Sequence, residues 1–194
     1  MPFRRPLAPI LLVLSLAVLA VCGDSRGVVP DLSHFQPPQG MTKTTYLAGG
    51  VRFEAPVNWA TQTGAPPLVV TLGSGPAIVT VWRYERSKGQ ALPDNAASLQ
   101  QARTALIAAA GARDGSFKVI SSAVIDLHGA PGVELDALET IRGEVRRVRS
   151  THLYKNGAEL VVDEYAPVSL FHAVDRTVFS PLLHSVRIAR VGSA

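Results

Sequence analysis

Residues 133–166, VELDALETIRGEVRRVRSTHLYKNGAELVVDEYA, decide the fold of this chain. Apolar and polar side chains alternate there in three segments, which are separated by Arg142-Gly143 and by Asn156-Gly157. Such alternation is typical of half-buried strands, and an Asn-Gly pair between two of them is a strong signal for a two-residue hairpin turn. We therefore predict three successive antiparallel strands. They cover residues 133–140, 145–154 and 158–166.

The charges in this stretch favour one register. Turns centred on the two dipeptides place three pairs of opposite charges face to face: Glu139 with Arg146, Asp136 with Arg149, and Arg149 with Glu164. Each such pair contributes roughly 0.2–1 kcal/mol, and a shift by one residue would exchange the two faces of a strand. We interpret the arginines at positions 146, 147 and 149 as rungs of this ladder and not as an anion-binding patch.

Further strands are predicted on both sides of this stretch. Residues 51–55 alternate in the same way, and two apolar-rich runs are joined by Gly73-Ser74-Gly75-Pro76, which suits a hairpin connection. The runs are residues 68–72 and 77–84, and one more strand is expected over residues 117–127.

Two helical segments complete the predicted domain. Apolar residues spaced three and four apart predict a helix that begins after Asp94 or Asn95 and ends at Gly111. A second helical segment is expected over residues 170–183, followed by a short apolar tail. The predicted fold class is α+β: an antiparallel sheet of about six or seven strands with helices on both faces.

The first residues have the layout of an export signal. Arg4 and Arg5 precede the uncharged run ILLVLSLAVLAV at residues 10–21. A helix of that length covers only about 18 Å of a roughly 30 Å hydrocarbon layer, so it suits a signal peptide better than a membrane span. We predict a signal peptide over residues 1–21 and an exported protein.

Cys22 is the only cysteine, which excludes an internal disulfide framework. The sequence Leu19-Ala20-Val21-Cys22 resembles the bacterial lipobox, in which the cysteine receives a diacylglyceryl group, although Val21 stands where that motif prefers Gly, Ala or Ser. Lipidation of Cys22 is therefore predicted, with membrane lipid as its partner. Ordinary signal cleavage, after Ala20 or after Gly23, is the alternative.

Composition indicates a folded, nearly neutral exported domain. Hydrophobic residues make up 47% and charged residues 18%, enough for a core, and the net charge is +4. Removing residues 1–21 takes away two arginines and leaves +2, which gives no reason to expect nucleic acid as a partner. Residues 22–49, rich in proline and glycine, are predicted to be a flexible tether. The folded domain is expected over residues 50–190.

The order of elements resembles the PsbP-like family. The resemblance rests on two groups of residues. Pro56-x-x-Trp59 follows an opening strand, and Phe179-x-x-Leu182-Leu183-x-Ser185-Val186 is similar to the family's last helix and terminal strand. LpqN-type bacterial lipoproteins are the relatives it resembles most. The resemblance spans residues 51–188. It implies an α/β/α sandwich and non-catalytic roles, in stabilising a larger complex or binding a partner at a membrane surface, and it transfers no metal or partner-binding residue.

The catalytic and metal-binding patterns in the sequence are incomplete. In the predicted register Ser150 faces Asp163, with His152 two residues along, but a hydrolase places its nucleophile at a sharp turn beside an oxyanion hole. The histidines lack metal-ligand spacing: they are His34, His128, His152, His172 and His184. Asp126 with His128 supplies only two ligands, and His172 with Asp175 is expected to be a surface hydrogen-bond pair.

The sequence thus predicts a non-catalytic binding or accessory module at the cell envelope, without a cofactor and with an envelope protein as a candidate partner. Two alternatives stay open. One is a secreted hydrolase that uses Ser150, His152 and Asp163. The other is a carrier of a small apolar ligand near Trp59 or Trp82, although both tryptophans also suit a core.

Overall fold

The structure, a computed structural model, describes residues 34–191 with the exception of Lys88. The predicted signal peptide, Cys22 and the first part of the tether lie outside the described residues. None of the helices in the described part is long and apolar enough to cross a bilayer.

Residues 34–191 contain ten strands, which form two antiparallel sheets. They are β1 Met41–Tyr46, β2 Val51–Pro56, β3 Ala60–Thr63, β4 Leu68–Ser74, β5 Ala77–Glu85, β6 Lys118–Asp126, β7 Pro131–Ile141, β8 Glu144–Lys155, β9 Ala158–Pro167 and β10 Arg187–Ile188. The large sheet has seven strands in the order β3-β4-β5-β9-β8-β7-β6, and the small sheet has the order β1-β2-β10. The expected sheet of six or seven strands is confirmed. The small sheet was not expected.

The predicted hairpin register is confirmed. Glu139 lies opposite Arg146 and Asp136 opposite Arg149 across β7 and β8, and Arg149 lies opposite Glu164 across β8 and β9. Both turns have two successive residues with positive φ, at 53° and 82° in Arg142-Gly143 and at 55° and 80° in Asn156-Gly157. This backbone matches the twist of the flanking strands.

In the described part of the chain, one long helix and one C-terminal helical segment cover the large sheet. Helix α1 spans Ala96–Arg113, and its N-cap Asn95 accepts a hydrogen bond from the N–H of Ser98 at 3.0 Å. The prediction that Gly111 ends this helix is wrong by two residues, because the chain leaves the helical conformation only at Asp114. Near the C-terminus, a continuous helical segment contains three parts. They are α2 Val168–Val174, a π-helical turn Asp175–Phe179 and α3 Ser180–Ser185.

The two faces of the large sheet are covered unequally. The main core lies between one face, the C-terminal helices and the small sheet; its members include Val79, Val81, Leu160, Val162, Phe53, Val174, Phe179 and Leu182. On the other face, Leu99 of α1 packs with Val133, Leu135 and Tyr154 in a smaller cluster. Helices therefore lie on both faces, as predicted.

The tether prediction over residues 22–49 is wrong for its last part. Met41–Tyr46 forms β1, and Leu47–Gly49 forms a 3-10 turn. The Tyr46 ring stacks on Phe53 with 5.3 Å between ring centroids, so this segment buries apolar surface. The folded domain therefore begins before residue 50.

The family landmarks meet in the main core. The Trp59 ring lies edge-on to Phe179 with 6.5 Å between centroids. Ser185 Oγ accepts a hydrogen bond of 2.7 Å from the N–H of Glu54 in β2. These contacts join the first strand of the family pattern to the last helix.

The arginines on β8 bind carboxylates, although not always the residue directly opposite. Arg147 Nε donates to Asp136 Oδ1 at 2.9 Å. Arg149 pairs with Glu164 and, through Nη2, lies 2.8 Å from Asp175 Oδ1 of the π-helical turn. Glu164 is completely buried. The ladder is therefore partly diagonal, and it links the sheet to the C-terminal helices.

Glu164 is expected to make stability depend on pH. Burial raises its pKa to about 7, and Arg149 offsets only part of that cost. The folded state then holds the proton of Glu164 more tightly than the unfolded state does. The contribution of Glu164 to stability is therefore complete below pH 4.5, the ordinary pKa of this side chain, and is lost as the pH rises to about 7. Over this pH range the unfolding free energy of the wild type should fall by roughly 1–3 kcal/mol relative to that of Glu164→Gln. Urea denaturation at the two ends of the range measures this difference. The matched control is Glu144→Gln, at an exposed position. Parallel pH profiles for wild type and Glu164→Gln would contradict this assignment.

Candidate functional site

A cleft runs along one side of helix α1. The helix packs on β6 and β7, so the same face of β8, β9 and β5 extends beyond its edge. The resulting cleft has a volume of about 450 Å³, within the range of small-ligand sites. Its apolar wall includes Leu106, Ala109, Phe117, Leu135, Val148 and Val161, and its polar side chains are Tyr84, Arg113, Glu139, Ser150, His152, Glu159, Asp163 and Tyr165.

Four polar side chains form a hydrogen-bonded line on β8 and β9. Ser150 Oγ donates to Asp163 Oδ1 at 2.5 Å and lies 3.2 Å from His152 Nε2. His152 Nδ1 is 2.8 Å from Glu159 Oε1. The predicted meeting of Ser150, His152 and Asp163 is confirmed, but the acid on the far side of the histidine is Glu159.

The single hydroxyl proton of Ser150 points to Asp163 and therefore away from His152. The Ser150 oxygen can then accept a hydrogen bond from Nε2 of His152, while Nδ1 of His152 faces Glu159. This is the reverse of a hydrolase triad, in which the histidine removes the proton of the serine.

Burial dominates the electrostatics of the cleft. It raises the pKa of Asp163, although the hydrogen bond from Ser150 lowers it in part. Burial also acts to raise the pKa of Glu159, but His152 and Arg86 outweigh it and hold that pKa below its usual range. Arg86 Nη2 lies 2.9 Å from Glu159 Oε2. Contacts with His152 and Arg86 thus keep Glu159 ionised, whereas burial makes Asp163 the more readily protonated acid.

The mouth of the cleft carries a weaker pair. Arg113, at the end of α1, lies 3.8 Å from Glu139 Oε1, and its side chain is 71% exposed. Burial raises the pKa of Glu139, and Arg113 lowers it in part. Tyr84 is also exposed. Arg113 and Tyr84 are therefore available to an incoming ligand.

The backbone around Ser150 offers no oxyanion site. Ser150 is in the middle of β8, which pairs with β7 on one side and β9 on the other, so its neighbouring amides belong to the two ladders. Catalysis of acyl transfer needs free N–H donors beside the nucleophile. The geometry suits ligand binding better than nucleophilic catalysis.

The other candidate residues have structural partners. His128 Nε2 lies 2.6 Å from the carbonyl of His184, and Asp126 accepts from the N–H of Gly129. The predicted pair of His172 with Asp175 is corrected, because Asp175 faces the sheet and binds Arg149 and Ser180. Within the described ranges, no three His, Cys, Asp or Glu side chains converge as a metal site.

The two tryptophans differ in environment. Trp59 is buried in the main core between Phe35 and Phe179. Trp82 is half-buried on the cleft-side face of β5, and its Nε1–H donates to Thr80 Oγ1 at 3.0 Å. Trp59 is therefore a core residue, and neither tryptophan lines the cleft.

Comparison with solved structures matches the whole architecture. The solution structure of cyanobacterial PsbP (CyanoP) from Synechocystis sp. PCC 6803 aligns with a TM-score of 0.61 over 84% of this chain and 97% of that chain, at 14% identity. The chain has the PsbP-like fold. LpqN of Mycobacterium tuberculosis, described as involved in cell envelope biogenesis, aligns with a TM-score of 0.52 over 77% of this chain and 91% of that chain, at 15% identity. No protein-family model and no curated protein matches the sequence.

Within this PsbP-like fold, sequence reasoning missed Glu159. Val161 lies directly opposite His152, so Glu159 and Asp163 are its two diagonal neighbours, both within reach of a long side chain. The same register that identified Asp163 could have identified Glu159. Arg113 and Tyr84 lie far from Ser150 in the sequence, and no local pattern indicates them.

The direction of the Ser150 proton is measurable. Ser150→Ala removes a donor from the Asp163 carboxylate, so the pKa of Asp163 should rise further. A carbon-13 NMR titration of the side-chain carboxyls measures this shift. Ser169→Ala, at an exposed position in α2, is the control and should leave that pKa unchanged. An unchanged pKa in Ser150→Ala would show that the hydroxyl proton does not serve Asp163.

Proposed function

We propose that this chain is an exported, lipid-anchored, non-catalytic binding or accessory module of the cell envelope. In this proposal Cys22 holds the protein at the membrane, and the cleft beside α1 contacts an envelope partner or ligand. One observation carries the proposal: an open cleft of about 450 Å³ contains a polar line whose serine proton is directed away from its histidine.

The chemistry of the cleft supports a ligand that supplies hydrogen-bond donors. Three carboxylates line it, those of Glu139, Glu159 and Asp163, against one arginine, Arg113. Carboxylates accept hydrogen bonds, and the apolar wall supplied by α1 buries a ligand's carbon skeleton. An amine or hydroxyl group of a partner fits this arrangement.

Two further observations support the envelope location. The first is the basic and apolar leader followed by Cys22, since a diacylglyceryl group with a further acyl chain gives stable membrane attachment. The second is the similarity in fold to LpqN, which is described as involved in cell envelope biogenesis.

Metabolic labelling with a radioactive fatty acid tests the anchor. The wild-type chain should take up label, and Cys22→Ala should take up none and be found outside the membrane fraction. Val21→Ala supplies the small residue that the lipobox prefers and should label at least as strongly as wild type. Label on Val21→Ala together with none on wild type would show ordinary signal cleavage and remove the anchor from the proposal.

The secreted hydrolase remains the second candidate, because Ser150, His152 and Glu159 are connected as a triad would be. Assays with generic ester substrates separate the two functions. We expect no ester hydrolysis that depends on both Ser150 and His152, since the serine proton is held by Asp163. Any turnover seen in the wild type should therefore not be abolished in both Ser150→Ala and His152→Ala. The control is Ser169→Ala. Activity lost in both variants and kept in the control would favour the hydrolase.

A further inference from the structure

Two arginines face each other on the outer surface of the small sheet. Arg52 of β2 and Arg187 of β10 are direct cross-strand partners, and both side chains are exposed. Like charges in directly opposed positions destabilise a sheet. An anionic ligand bound beside the two arginines would neutralise their positive charge. This surface is therefore suited to binding an anion.

These arginines belong to a larger cationic surface, here called the basic face. It consists of Lys43, Arg52, Lys155 and Arg187, which line three adjoining depressions of about 590, 400 and 190 Å³. Arg52 and Arg187 line all three. Among the described residues, Glu54 is the only carboxylate that lines them.

Among the residues that the structure describes, no carboxylate forms an ion pair with any of these four cations. Arg187 Nη1 donates to the backbone carbonyls of His184 at 3.1 Å and Val186 at 2.8 Å. Lys155 Nζ donates to the carbonyl of His128 at 3.1 Å. Within the described part of the chain, no ion pair joins Lys43 or Arg52 to an acid, although Glu54 lies opposite Lys43. The arginines of the large sheet differ, because Arg147 and Arg149 each bind a carboxylate.

We infer that the basic face docks on the phosphate headgroups of an anionic lipid surface. The inference rests on the proposed function, in which Cys22 is anchored in that membrane. Guanidinium groups bind phosphate oxygens through paired hydrogen bonds, and the depressions beside Arg52 and Arg187 have room for headgroups. The electrostatic attraction between a few Lys and Arg side chains and anionic lipid is weak by itself. It acts as a second membrane-binding signal when an acyl anchor is also present.

The length of chain before the described domain is compatible with this docking. Eleven residues lie between Cys22 and His34, and a chain of that length reaches up to about 40 Å when extended. The domain can therefore turn its basic face to the surface that holds Cys22. Tethering raises the local concentration of that face, so weak contacts are populated.

Docking in this way gives the cleft a defined orientation. The small sheet belongs to the layer that covers one face of the large sheet, whereas the cleft lies on the opposite face beside α1. With the basic face on the headgroups, the cleft points away from the lipid and is open to a partner.

Vesicle sedimentation with an unlipidated chain tests the inference separately from the anchor. The probe is the exported chain carrying Cys22→Ala, mixed with vesicles of phosphatidylglycerol and phosphatidylcholine, or of phosphatidylcholine alone. We expect binding to the anionic vesicles that falls at high salt. Arg52→Gln with Arg187→Gln should weaken it roughly tenfold or more. The control, Arg103→Gln with Arg142→Gln, removes the same charge from elsewhere and should change binding less than about threefold.

Several results would overturn the inference. The first is that the Cys22→Ala chain does not bind anionic vesicles. The second is that the test pair and the control pair lose binding equally, which would show that net charge alone determines the binding. Thermal unfolding serves as the check on folding. The test pair should unfold at the same temperature as the parent or slightly higher, because it removes a repulsion. None of these readouts depends on acylation of Cys22, so failure of the anchor and failure of the docking are distinguishable.

Discussion

The register of β7, β8 and β9 is the constraint on which the rest of the structure depends. Two tight turns set it, and they alternate the side chains of β9 so that Asp163 enters the cleft and Glu164 enters the core. A slip by one residue would exchange these two carboxylates and leave Arg149 without its buried partner. Core and cleft are therefore products of the same pairing.

Unequal coverage of the large sheet creates the cleft. The C-terminal helices and the small sheet close one face with a large apolar cluster that includes Phe179 and Trp59. On the other face α1 is a single helix and covers only the β6 and β7 side. The strands β8 and β9 lie at the centre of the sheet and pair with a neighbouring strand on both sides. Polar side chains on these strands are thus positioned with little freedom, as ligand recognition requires.

Two surfaces of different charge lie on opposite sides of the domain. Carboxylates and tyrosines make up most of the polar side chains in the cleft, whereas arginines and lysines make up the basic face. In our proposals the basic face contacts lipid phosphates, and the cleft contacts a partner. The domain would then hold the two surfaces apart, and this division of roles would need no catalytic group.

Local patterns in the sequence were enough for every strand of the large sheet except β3, for the charged register and for the cap near Asn95, because periodicity, turn residues and capping act over a few neighbouring residues. The meeting of Ser150 with Asp163 followed from that register. The strand at Met41–Tyr46 had no such local signal, since its stability comes from packing of Tyr46 on Phe53. The contributions of Arg113 and Tyr84 to the cleft, and of Arg187 beside Arg52, depend on how distant elements pack. Side chains brought together over long sequence separations leave no periodic trace, and for that reason both surfaces became visible only in three dimensions.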